Sequence, residues 1–246
     1  MVMIRKLAAV GDSFSTTKYG RSWPDFISDR LQSQLVRACS TGAGNAFYVE
    51  KCHDIVKDPE VDLVIVQLTG PARVVIGSQS WQDVQAGIQA HPIPAPVDYY
   101  DPTHSNIYKD IGCYTMNVYN NSQWLDALTG LETGDLDKFW FREVAGTRYY
   151  DYQTIHNMLA IKALCDQWKK PLVFFSWFVE MDKLILPGYE WLKSASNLIP
   201  GCAMIECDKL KLNKTDCGHY ATAETQQFVD TWLWPCVQSK LADMKL

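Results

Sequence analysis

Ser13 sits in Gly11-Asp12-Ser13-Phe14-Ser15, immediately after the short apolar run Lys6–Val10. A serine hydroxyl becomes a nucleophile when a general base lies within hydrogen-bond reach, so the motif needs a partner. The other end of the chain offers one. Asp216-Cys217-Gly218-His219 lies just before the last helical segment. A carboxylate three residues ahead of a histidine can fold back on a turn and accept the imidazole Nδ1–H. That fixes the tautomer and leaves Nε2 to take a serine proton. Taken singly, both motifs are ordinary turns, since Gly, Asp and Ser are common turn formers. Their joint placement is more specific: one follows the first strand and the other the last, so both loops can meet at one end of a sheet.

The elements that must hold them alternate. Lys6–Val10 reads as a strand ended by Gly11, and Trp23–Leu35 as a helix with Pro24 in its first turn, where a missing N–H costs little. Leu35–Ala38 is a second strand, Ala46–Val56 a second helix, and Val61–Leu68 (VDLVIVQL) a nearly continuous β-branched run. Such a run suits a parallel strand covered on both faces. Later, Tyr152–Lys169 reads as a helix, Pro171–Trp177 and Cys202–Glu206 as strands, and Ala221–Leu241 as a final helix bent near Pro235. The pattern predicts an α/β, three-layer, flavodoxin-like fold: a doubly wound parallel sheet of about five strands. In such sheets ligands bind beyond the carboxyl ends of the strands, which is where Ser13 falls.

Residues 70–148 depart from the pattern. They hold His91-Pro-Ile-Pro-Ala-Pro96 and a crowd of aromatic residues, among them Trp81, Tyr99, Tyr100, Trp124 and Trp140. The stretch is too long for an ordinary loop, so a single domain over 1–246 is expected to carry an insertion or lid at about 74–148. A satellite core or an oligomer interface is its plainer use, and a platform for sugar rings the other.

The motifs resemble those of the SGNH hydrolases, also called the GDSL esterase/lipase family. Gly11–Ser15 is similar to the first block, with Ser13 in the nucleophile's place, and Ser22–Ile27 (SWPDFI) to the helix that commonly follows. Thr41-Gly42-Ala43-Gly44-Asn45 resembles the second block, and Asp216–His219 the terminal DxxH block. The resemblance brackets residues 11–219. It implies a Ser13/His219/Asp216 triad and an oxyanion hole that includes the backbone N–H groups of Ser13 and Gly42. One block departs: Val64–Arg73 (VIVQLTGPAR) has no asparagine where the third block should supply a further oxyanion donor. Pro71 cannot donate, which leaves the Thr69 hydroxyl or the Arg73 guanidinium as replacements. Loss of one such donor lowers turnover by about 10²–10³.

Composition removes other classes. Hydrophobic residues at 47% and charged residues at 21% are those of a folded globular chain, not a disordered one. A formal net charge of -5 gives no global attraction to nucleic acid or an anionic membrane, and no apolar run approaches the roughly 18 residues of a membrane span. The amino-terminal apolar stretch is broken by Arg5 and Lys6, so no export signal is read and a cytoplasmic location is expected, a phage particle being another. The eight cysteines show no CxxC spacing and are expected as thiols. Gly42–Phe47 lacks the third glycine of a dinucleotide fingerprint, and His53, His91, His104 and His156 show no zinc spacing. No metal or organic cofactor is called for.

These readings converge on hydrolysis of an acyl ester. The Trp and Tyr content of the insertion favours deacetylation of a carbohydrate, with a small acyl ester or acetylated saccharide as substrate. The missing asparagine and the aromatic insertion motivate the alternative, a non-catalytic carbohydrate-binding or structural protein on the same scaffold.

Overall fold

The computed structural model describes residues 3–39, 44–69, 73–77, 113–117, 149–180, 189–192, 197–216 and 218–246, with 46, 73–77, 113–117 and 149–150 described as backbone. The aromatic residues named above for the insertion, together with Gly42 and Cys217, lie outside the described residues.

Strand β1 (Lys6–Gly11) is buried along its whole length. β2 (Gln34–Cys39) pairs with it in parallel, from Lys6 opposite Gln34 to Gly11 opposite Cys39. β3 (Leu63–Leu68) runs parallel along the other side of β1, from Leu7 opposite Leu63 to Val10 opposite Val66. β4 (Arg73–Gly77) and β5 (Cys113–Asn117) pair antiparallel with each other in a separate two-stranded sheet, within the segment expected as an insertion. β6 (Leu172–Ser176) returns to the main sheet beside β3, so its order is β2-β1-β3-β6. The chain leaves β1 towards one edge for β2 and crosses to the other side for β3. This reversal opens a crevice at the carboxyl ends of the strands, and Ser13 follows β1 into it.

Alternation along the strands builds the layers. Ala8, Val10, Val64, Val66 and Phe174 face helices α2 (Asn45–Ile55) and α3 (Tyr149–Gln167), meeting Phe47, Tyr48, Cys52, Ile155 and Met158. Leu7, Ala9, Ile65, Val173 and Phe175 face α1 (Trp23–Leu31) and the carboxyl-terminal helices, meeting Trp23, Ile27, Phe228 and Leu233. The fold is therefore the expected three-layer α/β sheet. Helix α1 stops earlier than its apolar spacing suggests, because Gln32 turns left-handed (φ 51°) and Gln34 already starts β2.

The stretch expected as a last strand, Cys202–Glu206, is instead the start of a helix, α4 (Ala203–Lys209). Five residues are too few for periodicity to separate the two conformations. Among the described residues, Leu198 holds the fifth position of the sheet, bridged in parallel to Phe174, with Ile199 N donating to Phe174 O at 2.8 Å. Pro200 follows and cannot donate to a ladder, and Gly201 turns the chain at φ +88°, so the strand stops at a single bridge. Among the described residues, four strands and one bridge stand where about five strands were expected.

The final segment runs as α5 (Thr222–Phe228), a π turn (Val229–Leu233) and α6 (Trp234–Asp243). Pro235 has no N–H for the i→i−4 ladder, and Trp234 N bonds back five residues to Val229 O, so the expected bend is a π turn just ahead of the proline. The six cysteines whose side chains are described are thiols, with no disulfide among them. Among the described residues no helix is long and apolar enough to cross a membrane.

Candidate active site

β1 ends at Gly11 and gives way to a short 3-10 turn, Ser13–Ser15. A Cβ on Gly11 would lie 2.2 Å from Ser15 Oγ and 3.2 Å from Gln67 Cβ, so the close approach of turn and strand requires glycine. Asp12 caps the turn. Its carboxylate, fully buried, accepts from Phe14 N at 3.0 Å, from Gln67 Nε2 at 2.6 Å and from the Thr69 hydroxyl at 2.9 Å. A buried carboxylate is tolerated only with such donors around it. Gln67 in turn accepts from Ser15 Oγ at 2.5 Å and from Trp23 Nε1 at 3.0 Å. Thr69 N donates to Asn45 Oδ1 at 2.9 Å, tying the end of β3 to the start of α2.

A second brace closes over the turn from β2. Arg37 donates to Ser15 O at 2.7 Å, to Ser22 Oγ at 2.8 Å and to Asp25 Oδ1 at 2.6 Å, while Ser22 N donates to Asp25 Oδ2 at 2.8 Å. Burial pushes the Asp25 carboxyl up, but the Ser22 N–H and the Arg37 guanidinium outweigh it and hold the carboxyl below the usual carboxylate range. The neighbouring Cys39 thiol is pushed up to about 12, by burial above all, and is therefore no thiolate nucleophile at neutral pH.

The histidine arrives on a hairpin-like turn. Lys214 bridges Tyr220 antiparallel, Thr215 N donates to His219 O at 2.7 Å, and Gly218 N donates to Thr215 O at 2.8 Å. Gly218 adopts φ +79°, a conformation that favours glycine. The imidazole of His219 lies between two rings: Tyr19 stacks on it at 3.9 Å and 18°, and Phe14 faces it at 4.7 Å and 34°. Phe14 stacks in turn on Trp177 at 4.3 Å and 21°. Ser13, Phe14, Tyr19, Trp177, His219 and Tyr220 line one cleft of about 270 Å³, counting its open mouth.

Ser13, only 4% exposed, and His219, whose Nε2 is buried, thus share one cleft at the carboxyl edge of the sheet. Asp216 is exposed on the tip of the same turn, three residues before His219. Thr69, expected as a replacement oxyanion donor, has its hydroxyl proton committed to Asp12, so the side chain offers no donor in this arrangement. Arg73 is described only as the first backbone residue of β4, and Gly42 lies outside the described residues. Among the described residues no group of three or more His, Cys, Asp or Glu is placed to hold a metal ion.

Sequence reasoning missed Gln67, Arg37, Asn45 and Tyr19. Gln67 carried a signal, being a polar residue inside an otherwise apolar buried strand, which demands partners. Arg37 and Asn45 carried none, because their partners are distant in sequence.

No protein-family model and no curated protein matches the chain. Solved structures do. TesA aligns over 96% of this chain and 100% of its own, at 13% identity and a TM-score of 0.50. The psychrotrophic esterase EstA from Pseudoalteromonas sp. aligns over 97% of this chain and 99% of its own, at 11% identity and a TM-score of 0.51. AlinE4, an SGNH-hydrolase family esterase, superposes more loosely, with a TM-score of 0.44 at 14% identity over 97% of this chain and 98% of its own. The chain shares its three-layer α/β fold with TesA and EstA.

Proposed function

We propose that the chain hydrolyses carboxylic esters with Ser13 as nucleophile. The observation that carries the reading is the meeting of Ser13 and His219 in one cleft at the carboxyl edge of the parallel sheet. His219 Nε2 takes the Ser13 proton as Ser13 Oγ attacks the ester carbonyl. The backbone N–H of Ser13, with Gly42 and Arg73 as further proposed donors, holds the tetrahedral oxyanion. The protonated imidazole then gives its proton to the leaving alcohol. Water, activated by the same histidine, releases the acid and restores Ser13. Asp216 supplies negative charge near the imidazolium from the exposed side of the turn. The hydrogen bond between Ser13 and His219 tightens around substrate, as is common for catalytic pairs.

A short acyl group suits so narrow a cleft, lined closely by Ser13, Phe14, Tyr19, Trp177 and His219. We assign an acetylated carbohydrate as the substrate class, with acetyl in the cleft and the Trp- and Tyr-rich segment around residues 74–148 as a surface for sugar rings. The test is p-nitrophenyl acetate hydrolysis by the wild type beside Ser13→Ala, followed by acetylated saccharides against longer acyl esters. Loss of turnover in the variant and preference for acetyl are expected; equal background rates would contradict the reading. The commitment of Thr69 to Asp12 favours one alternative, a carbohydrate-binding or structural protein on this scaffold. Saccharide binding without turnover would establish it.

A further inference from the structure

We propose that Tyr19 is a positioning residue for His219: with Phe14 on the opposite face, it holds the imidazole in the plane from which Nε2 serves Ser13. The inference rests on the hydrolase reading above. A carboxylate bonded to Nδ1 is the usual means of orienting a catalytic imidazole. Here the faces of the His219 ring are themselves covered, by Tyr19 at 3.9 Å and by Phe14 at 4.7 Å. The two faces are anchored independently. Phe14 is backed by Trp177, which is 2% exposed and packs on Phe228 with ring centroids 5.4 Å apart, so that wall belongs to the core. Tyr19 sits on the loop between the nucleophile turn and α1, and that loop is pinned beside the histidine. Gly20 adopts φ +111°, a Cβ there would lie 2.4 Å from Thr222 Oγ1, and Arg21 N donates to the same hydroxyl at 3.2 Å. Thr222 is the first residue of α5, three positions beyond His219, so clamp and clamped ring are referenced to the same helix start.

Displacing a catalytic group by about an ångström costs on the order of 10²-fold, and an imidazole with one uncovered face would sample such positions. Tyr19→Ala is therefore expected to lower kcat for p-nitrophenyl acetate by about tenfold or more, with KM changed little. Tyr19→Phe keeps the covering ring and should restore the wild-type rate. Unchanged kcat in Tyr19→Ala overturns the proposal, and so does an equal fall in both variants, which would point to the hydroxyl. The clamp is also read without turnover, from the imidazole carbon-bound protons of the full chain by NMR, with the His219 signals identified by their loss in His219→Gln. Rings on both faces should place these signals upfield of the other histidines', and Tyr19→Ala should move them downfield. Signals at ordinary positions overturn the clamp whatever the activity. Shifted signals in a protein without Ser13-dependent turnover uphold the clamp and count against the hydrolase reading alone.

Discussion

The two halves of the cleft are held by different physics. On the serine side, Asp12, Gln67, Ser15, Trp23 and Thr69 form a buried hydrogen-bonded lattice between the nucleophile turn and β3, with Arg37 bracing the turn from β2. On the histidine side, two backbone hydrogen bonds shape a turn with an exposed tip, and aromatic faces hold the ring. A polar lattice inside a sheet is rigid because each group left without a partner costs about 1–3 kcal/mol. Ring stacking, worth about 0.5–1.5 kcal/mol a pair, holds the imidazole in its plane and lets it slide slightly within that plane. A nucleophile must be fixed, whereas a base that shuttles a proton between serine, leaving group and water must move slightly. The division suits the proposed chemistry.

The largest effect that can break this comparison is at the base itself. His219→Ala should lower ester turnover by about 10³-fold or more while the thermal midpoint stays near that of the wild type; a collapse in stability would mean that the stack is structural. Gln67→Leu attacks the other half. It removes a donor to Asp12 and the acceptor of Ser15 and Trp23, and should cost about 2–4 kcal/mol of stability by urea unfolding, with turnover falling alongside. Thr69→Val sharpens the assignment of that hydroxyl. As a partner of Asp12 it should cost about 1–2 kcal/mol of stability, and Thr69→Ser should recover most of it. A fall of about 10²–10³ in turnover at unchanged stability would return Thr69 to the oxyanion hole.

The fold was largely legible in the sequence, and particular residues show why. The β-branched run ending at Leu68, the proline in the first turn of α1 and the proline behind the π turn each act locally, through burial, φ or a missing N–H. Cys202–Glu206 was misread because a short apolar stretch fits either period, and its helical state is settled by packing on the sheet. At the proposed site, spacing and strand context single out Ser13 and His219, and both line one cleft. The partners of Gln67 and Arg37, and the ring on each face of His219, could not be read from spacing, since they come from chain segments that only folding brings together. Asp216, three residues before His219, is exposed on the turn.

Asp216→Asn is accordingly expected to lower turnover by less than about tenfold, since a through-solvent charge is worth little. A loss near 10⁴ would show that the carboxylate sets the tautomer after all. The smallest effect concerns the brace over the nucleophile turn. The Asp25 carboxyl lies below its unfolded range, so its contribution is complete above the unfolded carboxylate range and is lost as pH falls through the folded value. Asp25→Asn should therefore flatten the acid limb of a stability-against-pH curve by no more than about 1 kcal/mol, with an unchanged limb speaking against the Arg37 brace.

The most direct test of the central claim, that His219 activates Ser13 as a nucleophile, is the intact mass of the protein after reaction with a fluorophosphonate. A single adduct mapping to Ser13, absent in Ser13→Ala and formed far more slowly in His219→Ala, is the expected result. No adduct, or an adduct on another serine formed equally in all three proteins, would contradict it.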